Sequence, residues 1–133
     1  MKKYMYIAIG VLAVLVFLVF QMRGMAGLEV SAEDVKGMID SKEKFTLVDV
    51  REVYEWNESH IKQATLVPLG SIATQFEKKF PKVKKDDKII LHCRSGVRSM
   101  RAVKMLQQMG YTNAYSMRGG ILAWTRAGYP VKK

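Results

Sequence analysis

The chain opens on an unbroken apolar run. Residues Tyr4 to Phe20 are all aliphatic, aromatic, methionine or glycine, and Gln21 and Met22 extend the run to nineteen residues. As a helix this spans about 28 Å at ~1.5 Å per residue, long enough to cross the hydrocarbon core of a bilayer. No polar face interrupts it, so it does not read as an amphipathic core helix. A cleaved signal peptide is the rival reading. Its apolar part usually runs only about 7–15 residues, and Arg23 stands where a cleavage region prefers neutrality. The pattern predicts an uncleaved transmembrane anchor over 1–23, with residues 4–22 in the membrane. A tether over 24–27 and one folded domain over 28–133 follow.

Beyond the tether the pattern changes to short apolar segments separated by polar turns. Leu28 to Val30 predicts a brief first strand. Ser31 then caps a helix with Glu33 and Asp34 in its first turn and Val35, Met38 and Ile39 on its apolar face. Phe45 to Val50 is nearly continuous in apolar residues, as expected of a strand covered on both faces. A short helical segment around Val53 to Asn57 and a strand over Ala64 to Pro68 come next. Ser71 is expected to cap a helix to about Lys79, with Ile72, Phe76 and Phe80 on one face and Pro81 ending it. Lys88 to His92 predicts a buried strand. The helix after it carries Ala102, Met105, Leu106 and Met109, with Gly110 as the glycine just past its end. Ala114 to Met117 is a last strand, and Arg118-Gly119-Gly120 turns into a helix over Ile121 to Arg126. Strands alternating with helices predict a parallel α/β sheet.

Composition narrows the picture. About 110 residues beyond the anchor suffice for one ordinary domain. A single cysteine excludes an internal disulfide and any Cys-x-x-Cys motif. The net charge is +10, and residues 1–23 hold Lys2, Lys3 and Arg23 with no acid. The basic run Lys78 to Lys88 reads as a solvated helix end and turn, with acidic headgroups or an acidic partner as the alternative. No interleaving of aromatic and basic residues supports nucleic-acid binding. No P-loop, zinc signature or dinucleotide fingerprint is present, so neither a metal nor a cofactor is expected. Lys2, Lys3 and the amino group outweigh Arg23 and Lys36 across the apolar run. The positive-inside rule then places the domain outside the cytoplasm, on the periplasmic or cell-surface side.

The candidate chemistry lies at Cys93-Arg94-Ser95-Gly96-Val97-Arg98-Ser99. Three apolar residues lead into the cysteine and a helical pattern starts directly after the loop. Free N–H groups at a helix start favour an anion, and a thiolate is one. Thiols so placed have pKa values lowered to roughly 3.5–7.5. Arg94 and Arg98 add positive charge, and Gly96 lets the backbone curl without a Cβ clash. His92 is adjacent in sequence, but neighbouring strand side chains point to opposite faces. His60 reads as a hydrogen-bonded structural histidine. Trp56 and Trp124 read as core.

The loop resembles the active-site loop of rhodanese-family sulfurtransferases. Asp49-Val50-Arg51-Glu52, His60-Ile61 with Ala64 and Val67-Pro68, Gly110-Tyr111 and Arg118-Gly119-Gly120-Ile121-Leu122-Ala123-Trp124 are similar to further blocks of that family, in its order. Ser59 departs from the glycine usual there. The resemblance implies a five-stranded parallel sheet flanked by helices, with the cysteine loop at the C-terminal edge where open α/β sheets bind ligands. It implies sulfur transfer from a small anionic donor such as thiosulfate, through a persulfide on Cys93, to a thiol or cyanide. The loop backbone from Arg94 to Ser99 would hold the anionic sulfur, with Arg94 and Arg98 attracting the donor and Asp49 and Arg51 supporting from behind. A persulfide carrier without turnover, or a tethered binding module, is the alternative. Phosphatases and arsenate reductases are the rivals on the same fold. The phosphatases have five residues between cysteine and arginine; here Cys93 and Arg98 enclose four, a cradle suited to a terminal sulfur.

Overall fold

The strand that delivers the cysteine is buried on both faces. Ile89, Leu91 and Cys93 enter one apolar cluster, and Ile90 enters the other. In the computed structural model the backbone is described for residues 1–133, and side chains for residues 1–19 and 27–133. Five parallel strands form the sheet: β1 (Glu29–Val30), β2 (Thr46–Asp49), β3 (Thr65–Leu66), β4 (Ile89–His92) and β5 (Ala114–Met117). Their order is β1-β5-β4-β2-β3. Thr46 to Asp49 pair with Ile89 to His92, and Ile89 to Leu91 pair with Ala114 to Ser116. This is the five-stranded parallel sheet flanked by helices that the sequence predicts.

Helices α2 (Ala32–Asp40), α3 (Val53–Glu58), α4 (Ile72–Lys79), α5 (Val97–Gln108) and α6 (Gly120–Arg126) connect and cover the strands. The cluster on the α4 and α5 side contains Val48, Val50, Ile72, Phe76, Val103 and Leu106. The other contains Val35, Leu47, Ile61, Ile90, Met117 and Trp124. Each fully buried large apolar side chain contributes roughly 1.5–3 kcal/mol relative to exposure. Period-two alternation on β4 therefore fixes which way the thiol faces.

Local signals explain most element ends. Ser31 accepts a hydrogen bond from the Asp34 N–H at 3.0 Å, and Asp34 accepts one from the Ser31 N–H at 3.3 Å, capping α2. At the end of α5 the Tyr111 N–H returns to the Leu106 carbonyl and the Gly110 N–H to Gln107. Ser71 does not cap α4. A 3₁₀ turn over Leu69–Ser71 leads into that helix, and Ser71 sits at φ −105°, ψ −4° with no side-chain cap. Its backbone is already helical, so its hydroxyl lacks the extended geometry of a cap. Ser59 lies at φ −169°, extended backbone that any residue adopts, so it replaces glycine there without strain. Lys85 and Lys88 of the basic run pair with Glu77 at 3.0 Å and Glu43 at 2.8 Å.

The N-terminal helix α1 runs over Lys2–Ala26. Its segment Lys2–Val19 has mean hydropathy 1.9 and is long and apolar enough to cross a membrane by length and composition. The backbone is helical through Ala26, so the first three residues of the expected tether belong to the helix. The side chains of residues 20–26, Arg23 among them, lie outside the described set.

Candidate active site

Cys93 follows β4 at the C-terminal edge of the sheet and is 1 % exposed. The chain then turns through Arg94, Ser95 and Gly96 into α5. Gly96 takes φ +115°, a conformation that favours glycine, and its N–H donates to Cys93 Sγ at 3.0 Å. The Ser99 hydroxyl lies 3.5 Å from the same sulfur. Burial pushes the thiol pKa up. Hydrogen bonds from the Ser99 hydroxyl and from the N–H groups of Ser99, Gly96 and Ser95 outweigh it, and the net shift is downward. The thiolate is thus stabilised by dipoles already oriented toward it.

The loop is braced from the other side by α6. The Ile121 N–H donates to the Cys93 carbonyl at 2.9 Å and the Leu122 N–H to the Arg94 carbonyl at 3.2 Å. This approach is close enough that a Cβ on Gly120, at φ +56°, would collide with both carbonyl oxygens. Neither oxygen can yield, because both belong to the loop backbone. Gly120→Ala should therefore destabilise the domain by on the order of 2–4 kcal/mol. Urea unfolding checks this; a loss below about 0.5 kcal/mol would show that α6 does not brace the loop.

The two arginines of the loop have different surroundings. Arg94 is exposed to solvent. Arg98 reaches across to α3 and donates to both carboxylate oxygens of Glu55, Nη1 to Oε1 at 2.6 Å and Nη2 to Oε2 at 2.9 Å. Glu55 is 8 % exposed. The hydrogen bonds from Arg98, more than the opposing burial, hold its pKa at about 2 against an ordinary 4.5. The Glu52 N–H adds a bond at 3.1 Å. Arg98 is in turn raised, first by its bonds to Glu55.

Asp49 and Arg51 pair with each other rather than touching the loop. Arg51 Nη2 lies 2.8 Å from Asp49 Oδ2 and Nε 3.0 Å from Oδ1. The same Nη2 donates to the Ser59 carbonyl at 2.8 Å, and Nη1 reaches the Glu55 carbonyl at 3.4 Å. The pair thus ties α3, which carries Glu55, to the end of β2. His92 points to the face opposite Cys93 and is fully buried. Its Nε2 is 3.6 Å from Asp49 Oδ2, too long for a hydrogen bond. Burial lowers its pKa, so the ring is neutral near pH 7. His60 donates through Nδ1 to the Trp56 carbonyl at 2.9 Å and stacks on the Trp56 ring at 3.7 Å. Trp124 is buried, and its Nε1–H donates to the Pro130 carbonyl.

Two residues of the site escape the sequence reading. Glu55 stands 43 positions from Arg98. The one local hint is the Glu52-x-x-Glu55 spacing, which places an acid at the third position of a helix. Ser116 on β5 lies 2.7 Å, hydroxyl to hydroxyl, from Ser99, and no local pattern points to it. A cavity of about 390 Å3 opens beside the loop, with Gly96, Val97, Met100, Arg101, Lys104 and Arg118 among its walls.

Fold and site together define a class: a parallel α/β domain with a lone cysteine, its thiolate stabilised by hydrogen-bond donors, in a short loop at the sheet's C-terminal edge. The chain belongs to the rhodanese-like domain family, whose sequence model matches residues 31–127. It is 33 % identical over 103 residues to a sulfurtransferase of Allochromatium vinosum, covering 77 % of this chain and 92 % of that one. It is 32 % identical over 104 residues to a probable adenylyltransferase/sulfurtransferase of Mycobacterium tuberculosis, covering 78 % of this chain but 26 % of that one. The chain thus spans about a quarter of that relative's length. A crystal structure of a rhodanese-related protein from Thermoplasma volcanium superposes with a TM-score of 0.63 at 31 % identity, covering 78 % of this chain and 96 % of that one.

Proposed function

We propose that this protein is a sulfurtransferase whose nucleophile is Cys93. The observation that carries the reading is the Gly96 N–H on Cys93 Sγ at 3.0 Å, within a loop that lowers the thiol pKa. The Cys93 thiolate attacks the outer sulfur of an anionic donor such as thiosulfate. A new S–S bond forms to Cys93, the donor's own S–S bond breaks, and sulfite leaves with that electron pair. The loop N–H groups between Arg94 and Ser99 hold the negative charge, now on the terminal persulfide sulfur. Arg98 keeps N–H groups beyond those given to Glu55, and with Arg94 it attracts the donor. A thiol or cyanide acceptor then attacks the outer sulfur and returns the thiolate. Two half-reactions through a covalent intermediate give ping-pong kinetics.

Sulfur transfer by the full chain in detergent tests this, with thiosulfate, mercaptopyruvate and a phenyl phosphate offered in parallel. Thiocyanate production from thiosulfate and cyanide is expected. Phosphate release at a comparable rate would replace this reading with a phosphatase. Stoichiometric loading without turnover by any acceptor would replace it with a persulfide carrier.

The reading includes the apolar helix as an uncleaved single-pass anchor that holds the domain outside the cytoplasm. Its support is the mean hydropathy of 1.9 over Lys2–Val19 and the two lysines preceding the apolar run. A reporter fused after Lys133 should be active only if it works outside the cytoplasm. Activity of a cytoplasm-only reporter would reverse the topology.

A further inference from the structure

Three partners compete for one proton at the thiol. The Ser99 hydroxyl lies 3.5 Å from Cys93 Sγ, 3.2 Å from the Gly96 carbonyl and 2.7 Å from the Ser116 hydroxyl. A serine carries one donor proton and two acceptor lone pairs, so Ser99 can donate to only one of the three. Ser116 is 1 % exposed, and among the described residues its hydroxyl has no hydrogen-bond partner but Ser99. A buried hydroxyl left without an acceptor costs about 1–3 kcal/mol. The Ser116 proton is therefore directed onto the Ser99 oxygen. That bond occupies one Ser99 lone pair, which fixes the Ser99 rotor, and it polarises the Ser99 O–H into a stronger donor. The Ser99 proton then has the sulfur or the Gly96 carbonyl, and an anionic sulfur is the stronger acceptor.

We propose that Ser116 is a positioning residue for sulfur transfer, its hydroxyl turning the Ser99 hydroxyl onto the Cys93 sulfur whenever that sulfur is anionic. The inference rests on Cys93 being the nucleophile. It extends the site from the loop to β5, the neighbouring strand. The thiolate that opens the first half-reaction and is returned by the second receives the same aimed donor each time. The charged groups around the loop include Arg98 from α5, Glu55 paired to it from α3, and Arg101, Lys104, Arg118 and Glu29, which line the cavity beside the loop together with Ser116. Asp49 pairs with Arg51, and His92 donates through Nδ1 to the Cys93 carbonyl at 3.2 Å. Among the described residues none of these bonds to either serine, so the hydroxyl pair acts independently of the ion pairs.

The test is the pH profile of Cys93 alkylation by iodoacetamide in the full-length protein, which requires no turnover. In Ser116→Ala the profile should move to higher pH. The rate below the thiol midpoint should fall roughly threefold to tenfold, the span of one ordinary hydrogen bond. Ser116→Thr keeps the hydroxyl and adds a methyl, and Ser116→Val has the shape of threonine with a methyl in place of the hydroxyl. Threonine should follow the wild type and valine the alanine variant, which separates the hydroxyl from any effect on packing. In a Ser99→Ala background, Ser116→Ala should shift the profile no further. An unchanged profile in Ser116→Val, or a full shift persisting without Ser99, would overturn the proposal. Loss of wild-type sulfur transfer would instead count against the assignment of function, and the two failures are read separately.

Discussion

Cys93→Ser should never gain a sulfur atom. Wild-type protein treated with thiosulfate and then freed of donor should show an intact mass heavier by one sulfur, and cyanide should return it to the unloaded mass. The loaded form should survive purification. Cys93 is the only thiol in the chain, so no internal cysteine can capture its sulfur as a disulfide. The loop N–H groups that stabilise the thiolate are placed for a persulfide anion as well. Serine leaves the fold intact, since it differs by one atom at a position where the neighbours already donate hydrogen bonds. Its hydroxyl is too poorly ionised to attack. Transfer should drop by at least about a thousandfold with the circular dichroism unchanged. Residual turnover by the serine variant would displace Cys93 from the mechanism.

The ion pair between Arg98 and Glu55 is the second place where one change should have a large effect. Arg98→Lys keeps the charge but cannot reproduce a two-pronged bond to a carboxylate. It should lower kcat/KM for thiosulfate by roughly 10–100-fold, the scale of one hydrogen bond to a charged group. Unchanged kinetics would remove Arg98 from the mechanism. Glu55 carries the matching stability term. Its pKa is depressed in the folded protein, from 4.5 to about 2. Its contribution is therefore complete above about pH 4.5 and is lost as the pH falls through about 2. A shift of that size corresponds to on the order of 3 kcal/mol. Urea unfolding of wild type and Glu55→Gln should differ by a constant amount from pH 7 to about pH 5, and the gap should close toward pH 2. A gap that stays constant to pH 2 would show that the carboxylate is not held by Arg98.

Element types and their order were legible in the chain because they depend on local periodicity. The apolar run from Ile89 to Leu91 allowed only a strand covered on both sides, and Ser31 with Asp34 specified a helix start within four residues. The downward shift of the thiol pKa was legible for the same reason. A cysteine between a strand and a helix start, with Gly96 three residues on, carries its stabilising N–H groups in its own backbone. Ser71 failed as a cap because the residues before it closed into a 3₁₀ turn, an outcome set by how the chain leaves β3.

What the chain could not display were the partners brought in from other strands and helices. Arg98 reads in the sequence as a cation that attracts the donor, and only the tertiary structure brings Glu55 of α3 to it. Asp49 and Arg51 read in the sequence as a support behind the loop. The structure shows them bonded to each other, with Arg51 also donating to the Glu55 and Ser59 carbonyls. Ser116 had no signal at all, because its meaning depends on β5 lying beside β4 in parallel register. Sequence periodicity determines which face a side chain occupies. Only the packed sheet determines which side chain from a distant segment meets it there.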